Sequence, residues 1–331
     1  MYFSDPIYGT NEILDPVLLD LMNTQAMQRA RGVLQHGVTA LIGITVPTSR
    51  FDHSMGVMLL VRRLGGILEE QIAALLHDVS HTAFSHVIDY VFDGHNTQSY
   101  HEEMKLAFVS GTDIPVTLEK YGYNWLDFMD ETNFPLLEKD LPHLCADRLD
   151  YFMRDARDLG LASDAEIATT LRHLRVFEGR IVTDDIDSAR WLGYTFIAAD
   201  KASWANFREV GLYELAARAI RRGLQIGVID ETDLWGTDLP AWEKLLGSSD
   251  PQLQNDIQRV HIDTRFEWNE VQPEFWVSTK LRSVDPVILI NGTIKPLSYF
   301  DTDFAKHRVK YLENNSGKWP MRVIEPGTDF A

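Results

Sequence analysis

Cysteine is almost absent from this sequence of 331 residues, which contains a single one, Cys145. One thiol cannot form an internal disulfide, and it cannot supply the several ligands of a cysteine-rich zinc module. So little cysteine is typical of a reducing compartment, and we expect a cytoplasmic protein. The opening stretch MYFSDPIYGT lacks the basic and apolar regions of a signal peptide, which agrees with that expectation.

Positive charge is also scarce, with 31 lysines and arginines against 49 aspartates and glutamates and a formal net charge of -18. Phosphate backbones repel such a chain, so nucleic acid is not an expected partner. No apolar run reaches the ~18 residues that predict a membrane span, so we expect no membrane partner. The 45% of hydrophobic residues is ample for a large globular core. A small anionic substrate stays open, because it responds to local arginines more than to net charge.

Helical patterns dominate the first two thirds of the chain. Residues 15–223 carry apolar side chains mostly at helical spacing. β-Rich runs flank Glu178-Gly179 and Asn291-Gly292, and each predicts a hairpin. We therefore predict a mainly α protein with a helical domain over residues 1–225, which includes a small β-hairpin, and a smaller α+β region over residues 226–331.

The stretch ALLHDVSHTAFSH, residues 74–86, concentrates three histidines and one aspartate within ten positions. Imidazole and carboxylate side by side are common ligands of a divalent transition metal, and a site without thiolates favours Fe, Mn, Co, Ni or Zn. The alternative is a histidine and an aspartate that merely end a helix. Further candidates precede and follow the stretch, and the spacing H…HD…D can bring the whole set to one point. The predicted metal ligands are His53, His77, Asp78 and Asp147.

Five ordered motifs resemble the HD-domain phosphohydrolases, and specifically their deoxynucleoside triphosphate triphosphohydrolase branch. They are TQAMQRARGVLQHG, TSRFDHSMGV, LLHDVSHTAFSHVID, YHEEM and DRLDYFMRDARDLG, within about residues 5–220. The resemblance implies an HD-type helical core and the H…HD…D ligand set. It also implies hydrolysis of a (deoxy)nucleoside triphosphate to nucleoside and triphosphate, in which Mg²⁺ can accompany the substrate phosphates.

The resemblance also implies roles for individual residues. His81 and His101 would lie beside the scissile phosphate as catalytic proton donors, and Asp89 would orient one of them through its second ring nitrogen. Other residues would contact the phosphates, the sugar or the neighbourhood of the substrate. These substrate-binding candidates are Gln35, Arg50, His86, Arg148, Tyr151 and Asp155.

The predicted helix around Asp147 has two faces that spacing alone separates. Tyr151 and Asp155 follow Asp147 at intervals of four residues, so they share the face of the metal ligand. The other face repeats charged residues at the same interval, which predicts a structural ion-pair ladder of Asp150, Arg154 and Asp158.

Departures from the family pattern keep other functions open. His36 stands where deoxynucleotide enzymes carry a leucine, so we expect a weaker preference for deoxyribose. Ala205 and Glu209 stand where basic or imidazole groups are expected, and this favours a nucleotidase or phosphomonoesterase on the same scaffold as the alternative. A non-catalytic metal-binding regulatory module is a further alternative, which the intact histidine set disfavours. We also expect a homo-oligomer whose partner is a small-molecule nucleotide.

Overall fold

Helices dominate the fold in the computed structural model, which describes residues 1–92 and 94–324. The α-helices are α1 (Pro16–Met22), α2 (Gln25–Arg29), α3 (Val38–Leu41), α4 (Arg50–Arg63), α5 (Leu68–Leu76), α6 (Val87–Val91), α7 (Tyr100–Ser110), α8 (Ile114–Glu119), α9 (Ala146–Asp158), α10 (Asp164–His173), α11 (Ile186–Ala202), α12 (Phe207–Ile226), α13 (Glu231–Leu234), α14 (Asp238–Leu246), α15 (Pro251–Ile257), α16 (Leu297–Phe300) and α17 (Thr302–Asn315). Short 3-10 helices lie at Ala30–Gly32, Trp125–Phe128 and Glu131–Asn133.

The strands form three small sheets. They are β1 (Tyr2–Asp5), β2 (Gly9–Glu12), β3 (Leu174–Phe177), β4 (Arg180–Thr183), β5 (Arg265–Trp268), β6 (Phe275–Val277), β7 (Val287–Ile290), β8 (Thr293–Pro296) and β9 (Trp319–Ile324). β1 and β2 form a hairpin, the second sheet has the order β3-β4-β7-β8, and the third has the order β5-β9-β6. All neighbouring strands are antiparallel except β4 and β7, which are parallel.

The predicted mainly α fold is confirmed, and so are both predicted hairpins. Glu178-Gly179 joins β3 to β4, and Asn291-Gly292 joins β7 to β8. All four turn residues have positive φ, between 49° and 76°. Two such residues in succession make the tight turn whose twist matches antiparallel strands, and glycine and asparagine tolerate this backbone best.

Helix α4 lies inside the core and packs against α5 and α9. It begins where the Ser49 hydroxyl accepts the backbone N–H of Asp52, which satisfies one of its unpaired N-terminal donors. Gly56 permits the close approach of α9, because a Cβ there would lie 2.0 Å from Arg154 Nη2 and 2.1 Å from Asp150 Oδ1. This packing brings the side chains of α4 and α9 into direct contact.

The proposed boundary at residue 225 falls inside α12, and a sheet connects the two sides of it. Strand β4 pairs with β7 through Thr183 and Ile288. A two-stranded hairpin is marginally stable on its own, so two hairpins that share a sheet support each other. None of the helices in residues 1–92 and 94–324 has both the length and the hydropathy to cross a membrane.

Candidate metal centre and substrate pocket

The four predicted metal ligands converge from three helices. His53 lies near the start of α4, His77 and Asp78 follow α5, and Asp147 is in the first turn of α9. The Nε2 atom of His53 lies 2.9 Å from Asp147 Oδ1 and 3.3 Å from His77 Nε2. It also lies 3.6 Å from Asp78 Oδ2. Residues far apart in sequence thus place two imidazoles and two carboxylates at one point.

Hydrogen bonds determine which ring nitrogen of each histidine faces this point. His77 Nδ1 lies 2.8 Å from the carbonyl oxygen of Ala74, which can only accept, so Nδ1 carries the proton. His53 Nδ1 donates in the same way to Asp150 Oδ2 at 2.7 Å. The Nε2 atoms of both rings are therefore left to coordinate. Two imidazole nitrogens beside two carboxylates have the donor chemistry of a divalent transition-metal site, so these residues fit a metal.

The electrostatics of the centre also favour a cation. Burial alone would lower the pKa of His77, but the carboxylates of Asp78 and Asp147 raise it to about 10. Burial alone would raise the pKa of Asp78, but the positive charges of Arg50, His77 and His81 hold it well below its usual range. The site therefore attracts protons strongly when no other cation is bound, and a metal ion would compete with those protons.

Asp150 has a role at the metal centre that the sequence analysis missed. Its carboxylate accepts from His53 Nδ1 and from Arg154 Nε at 2.8 Å, and Arg154 also donates to the buried Asp5 Oδ2 at 2.6 Å. The predicted ladder is therefore correct for Asp150 and Arg154 only, since Asp158 pairs with Arg157 instead. A carboxylate on the remote nitrogen of a ligand histidine fixes the orientation of its ring.

His81, His86 and His101 lie near Asp78. Helix α5 ends at Leu76 and does not continue through His81. The rings of His81 and His101 are stacked, with centroids 3.8 Å apart, and His86 packs edge-on against His81. His81 Nε2 lies 3.2 Å from Asp78 Oδ1, whereas His101 Nδ1 is buried without a hydrogen-bond partner among the described residues. Burial, together with the nearby positive charge of Arg50, lowers the pKa of His81 to about 3. Burial also lowers the pKa values of His86 and His101, so the neutral imidazole is favoured in this group.

Asp89 does not occupy the position that the sequence analysis gave it. It accepts from His86 Nδ1 at 2.9 Å and from the backbone N–H of Tyr100 at 3.1 Å. Asp89 therefore orients His86, and the expected contact with His81 or His101 is not made. His86 directly precedes α6 and Asp89 lies in its first turn, so the two side chains are three positions apart and meet locally.

The two arginines expected on phosphates both hold carboxylates of the protein. Arg50 Nη1 donates to Asp78 Oδ2 at 2.7 Å. Arg148 Nη2 donates to Glu138 Oε1 at 3.1 Å, and its Nη1 donates to the carbonyl oxygens of Lys139 and His143. Both side chains line the pocket described below, but much of their hydrogen-bonding capacity is already used within the protein.

A strained turn at Phe84 and Ser85 holds Arg50 in place. Phe84 and Ser85 have φ values of 68° and 48°, which cost energy for residues other than glycine. Asp238, at the start of α14, accepts the backbone N–H of Phe84 at 2.8 Å. Ser85 Oγ then accepts from Arg50 Nε at 3.1 Å. The C-terminal region thus helps to shape the site.

The remaining predicted substrate-binding residues, Gln35, Tyr151 and Asp155, line the same pocket. Asp155 Oδ1 is 3.0 Å from His36 Nε2, and Asp155 Oδ2 accepts from Trp204 Nε1 at 2.6 Å. Tyr151 packs edge-on against Trp204, with centroids 4.8 Å apart. Gln35 Oε1 is buried without a hydrogen-bond partner among the described residues. Aromatic surface beside polar groups suits a sugar or a base.

One pocket of about 910 Å³ connects these groups, a volume suited to a small organic ligand. It is lined by Asp78, Asp147, the three histidines and the predicted substrate-binding residues. Several further lining residues were not predicted from the sequence, namely Lys105, Lys139, Trp204, Lys280 and Arg282. They come from separate segments that carry no local motif. The sequence indicated this region only through two basic residues, in the segment KLR at residues 280–282.

Comparisons with known proteins agree with this geometry. The HD domain family profile matches residues 50–121. The metal-dependent phosphohydrolase cns2 of Cordyceps militaris is 36% identical over 317 residues, which cover 93% of this chain and 91% of that protein. The deoxynucleoside triphosphate triphosphohydrolase SAMHD1 of Danio rerio is 38% identical over 105 residues, which cover 27% and 17%. A solved phosphohydrolase from Bacteroides thetaiotaomicron shares the fold, with a TM-score of 0.66 at 16% identity over 97% of this chain and 99% of that one.

Proposed function

Because this chain belongs to the HD-domain family of metal-dependent phosphohydrolases, we propose that its substrate is a nucleotide and that it releases triphosphate from a (deoxy)nucleoside triphosphate. The observation that carries the proposal is the pocket that brings together two of the predicted metal ligands, Asp78 and Asp147, with aromatic side chains and several cations. The local similarity to SAMHD1 of Danio rerio, a deoxynucleoside triphosphate triphosphohydrolase, supports the same substrate class.

The residues of the pocket divide the work of this reaction. A divalent cation held by the H…HD…D set would offset negative charge on the phosphate oxygens. Tyr151 and Trp204 would pack on the sugar or base, which leaves the first phosphorus beside His81 and His101. A neutral imidazole there can accept the proton of an attacking water and pass it to the leaving sugar oxygen. The bond from the sugar oxygen to the first phosphorus breaks, and the triphosphate leaves intact.

A specific observation favours a nucleotidase as the second candidate. Arg50 pairs with Asp78 and Arg148 pairs with Glu138, so a protein carboxylate already offsets part of the positive charge of each arginine. A monophosphate needs fewer positive charges than a triphosphate chain. On this alternative, the same histidines would release orthophosphate from a nucleoside monophosphate.

Product analysis distinguishes the two candidates. Metal-reconstituted protein is incubated with ribo- and deoxyribonucleoside mono-, di- and triphosphates, and the products are identified by mass spectrometry. We expect nucleoside and intact triphosphate, with no activity in the matched Asp147→Ala variant. Orthophosphate from monophosphates, with triphosphates untouched, would favour the nucleotidase. Stepwise loss of orthophosphate from a triphosphate would reject the proposed cleavage position.

A further inference from the structure

The segment between β6 and β7, residues 278–286, is held firmly at the pocket although it has no regular secondary structure. The backbone N–H of Arg282 donates to the buried Asp200 Oδ2 at 2.7 Å. Farther along, the backbone N–H of Asp285 donates to the carbonyl oxygen of Pro142 at 2.9 Å. These bonds fix the segment to α11 on one side and to the chain before α9 on the other. Lys280 and Arg282 consequently reach the same pocket as the metal ligands.

These two cations differ from their neighbours in what they contact. Lys280 Nζ donates to the carbonyl oxygen of Thr97 at 3.3 Å. Arg282 donates to the carbonyl oxygen of Lys280 and to the side-chain oxygen of Gln98. All of these acceptors are neutral, and within the described residues neither side chain forms an ion pair with a carboxylate.

Three other cations of the pocket, Arg50, Lys105 and Arg148, make direct ion pairs with carboxylates, whereas Lys139 lines the pocket without an ion pair among the described residues. Lys105 pairs with Glu131 at 2.5 Å, in the same manner as the two arginines already described. The carboxylates of the pocket act on Lys280 through longer-range electrostatic attraction, without a direct ion pair among the described residues. A pair of positive groups with neutral contacts is costly in a recessed site unless an anion from outside joins them.

Electrostatic repulsion between Lys280 and Arg282 affects the pKa of Lys280. Burial lowers its pKa, and the positive charge of Arg282 lowers it further. Arg148 contributes in the same direction, whereas Glu102 and Glu138 oppose it without contact. A phosphate group bound between the two cations would relieve this repulsion, because each oxygen carries negative charge and accepts hydrogen bonds.

We propose that Lys280 and Arg282 form an anion subsite that binds the outer phosphoryl groups of the substrate, beyond the phosphate at the metal centre. This inference rests on the proposed function, and it assigns the grip on the phosphate chain to a segment outside residues 50–121, which match the HD domain. Arg50 and Arg148 are each paired with a protein carboxylate. Lys280 and Arg282, from the C-terminal region, would supply further positive charge for the phosphate chain. The ligand class is a linear polyphosphate, either free or as part of a nucleotide.

Direct binding of inorganic anions tests the subsite without relying on turnover. Tripolyphosphate and orthophosphate are titrated by calorimetry into metal-loaded wild type, Lys280→Gln and Arg282→Gln. The control is Lys310→Gln, which changes an exposed lysine on α17. We expect wild type and the control to bind tripolyphosphate equally. Each pocket variant should bind it about 10-fold more weakly, the effect of one charge-assisted hydrogen bond, whereas orthophosphate affinity changes less than about twofold.

The outcomes separate the subsite from the proposed function. Equal tripolyphosphate affinity in wild type and in both variants would overturn the subsite, and so would a wild type that does not bind tripolyphosphate. Arg282 also contacts Gln98, so Lys280→Gln, with a melting temperature equal to that of wild type, is the cleaner variant. If tripolyphosphate binding depends on Lys280 but no nucleotide is hydrolysed, the subsite stands and the proposed nucleotide substrate fails.

Discussion

His53 donates its Nδ1 proton to Asp150 Oδ2 across 2.7 Å, on the side of the ring that faces away from the other metal ligands. Asp150 is fully buried and is held in turn by Arg154, whose second partner is Asp5 in the N-terminal hairpin. The orientation of a metal ligand therefore depends on a chain of charged contacts that reaches the first strand.

Asp150→Asn should weaken metal binding without removing any ligand. The amide cannot supply the negative charge that holds the proton on Nδ1, and loss of such outer partners typically costs about 10- to 100-fold in metal affinity or activity. Asp158→Asn on the same helix is the matched control, because the ion pair of Asp158 among the described residues is with Arg157 and not with His53 or Arg154. Metal affinity is measured by competition with a chelator. Equal affinities in both variants would show that Asp150 does not tune the centre.

The purified protein should carry roughly one transition metal per chain, and His77→Ala and Asp147→Ala should lose both metal and activity. The reason is that each substitution removes one of four convergent donors, all of which a small site needs. Metal content is measured by elemental analysis after dialysis. Full occupancy in the double variant would show that the ligands lie elsewhere. Treatment with a chelator should abolish activity in wild type, and added metal should restore it.

His81→Ala and His101→Ala should keep the metal but lose about 10²- to 10⁴-fold in rate, the usual contribution of a general acid–base group. The two rings are stacked and both line the pocket, so both imidazoles are placed to contact a bound substrate. Metal content and turnover are measured on the same preparations. Wild-type turnover in both variants would show that the stack is structural.

His36→Leu should lower the use of ribonucleotides relative to deoxyribonucleotides. The imidazole contacts Asp155 in the part of the pocket that we propose holds the sugar, where it can pair with a hydroxyl, whereas leucine cannot. Loss of one such hydrogen bond corresponds to about a tenfold change in the ratio of kcat/KM values. His36→Gln, which keeps a polar group, is the control. An unchanged ratio would place His36 away from the 2′ position.

Asp200 should make the free energy of unfolding depend on pH. Burial raises the pKa of this carboxyl from 3.8 to about 6, although Arg282 and Tyr311 oppose the shift. Between pH ~4 and ~6 the folded protein keeps a proton that the unfolded chain has released, so stability falls as pH rises through this window. A pKa difference of about two between folded and unfolded chain corresponds to about 3 kcal/mol.

Asp200→Asn should remove this pH dependence. Asp200 Oδ2 accepts from Arg282 N and Tyr311 Oη, and the amide oxygen can replace it. Oδ1 has no hydrogen-bond partner among the described residues, so the amide nitrogen displaces no donor. Chemical denaturation at several pH values gives the difference between variant and wild type. A difference that stays constant from pH 4 to 7 would contradict the raised pKa.

Local sequence determined the elements that short-range physics controls. Asn291-Gly292 specifies a hairpin because its two residues tolerate positive φ, and the apolar spacing of residues 68–76 specifies the helix that ends at His77. The sequence also predicted that His53, His77, Asp78 and Asp147 approach one another, and the structure brings these side chains close together. These features need only neighbouring residues or characteristic side chains.

Tertiary packing alone decided which partners those side chains take. Asp89 contacts His86 because of the turn that precedes α6, and Asp150 reaches His53 because Gly56 lets α9 approach α4. Lys280 lies about two hundred residues after Asp78, a predicted metal ligand, and its anchored segment brings it to the pocket that Asp78 lines. The contacts of Asp150 and Lys280 depend on the packing of distant elements, which local propensities do not encode, whereas the contact of Asp89 with His86 joins residues three positions apart. The residue types of the site were therefore readable from the sequence, and its long-range hydrogen bonds were not.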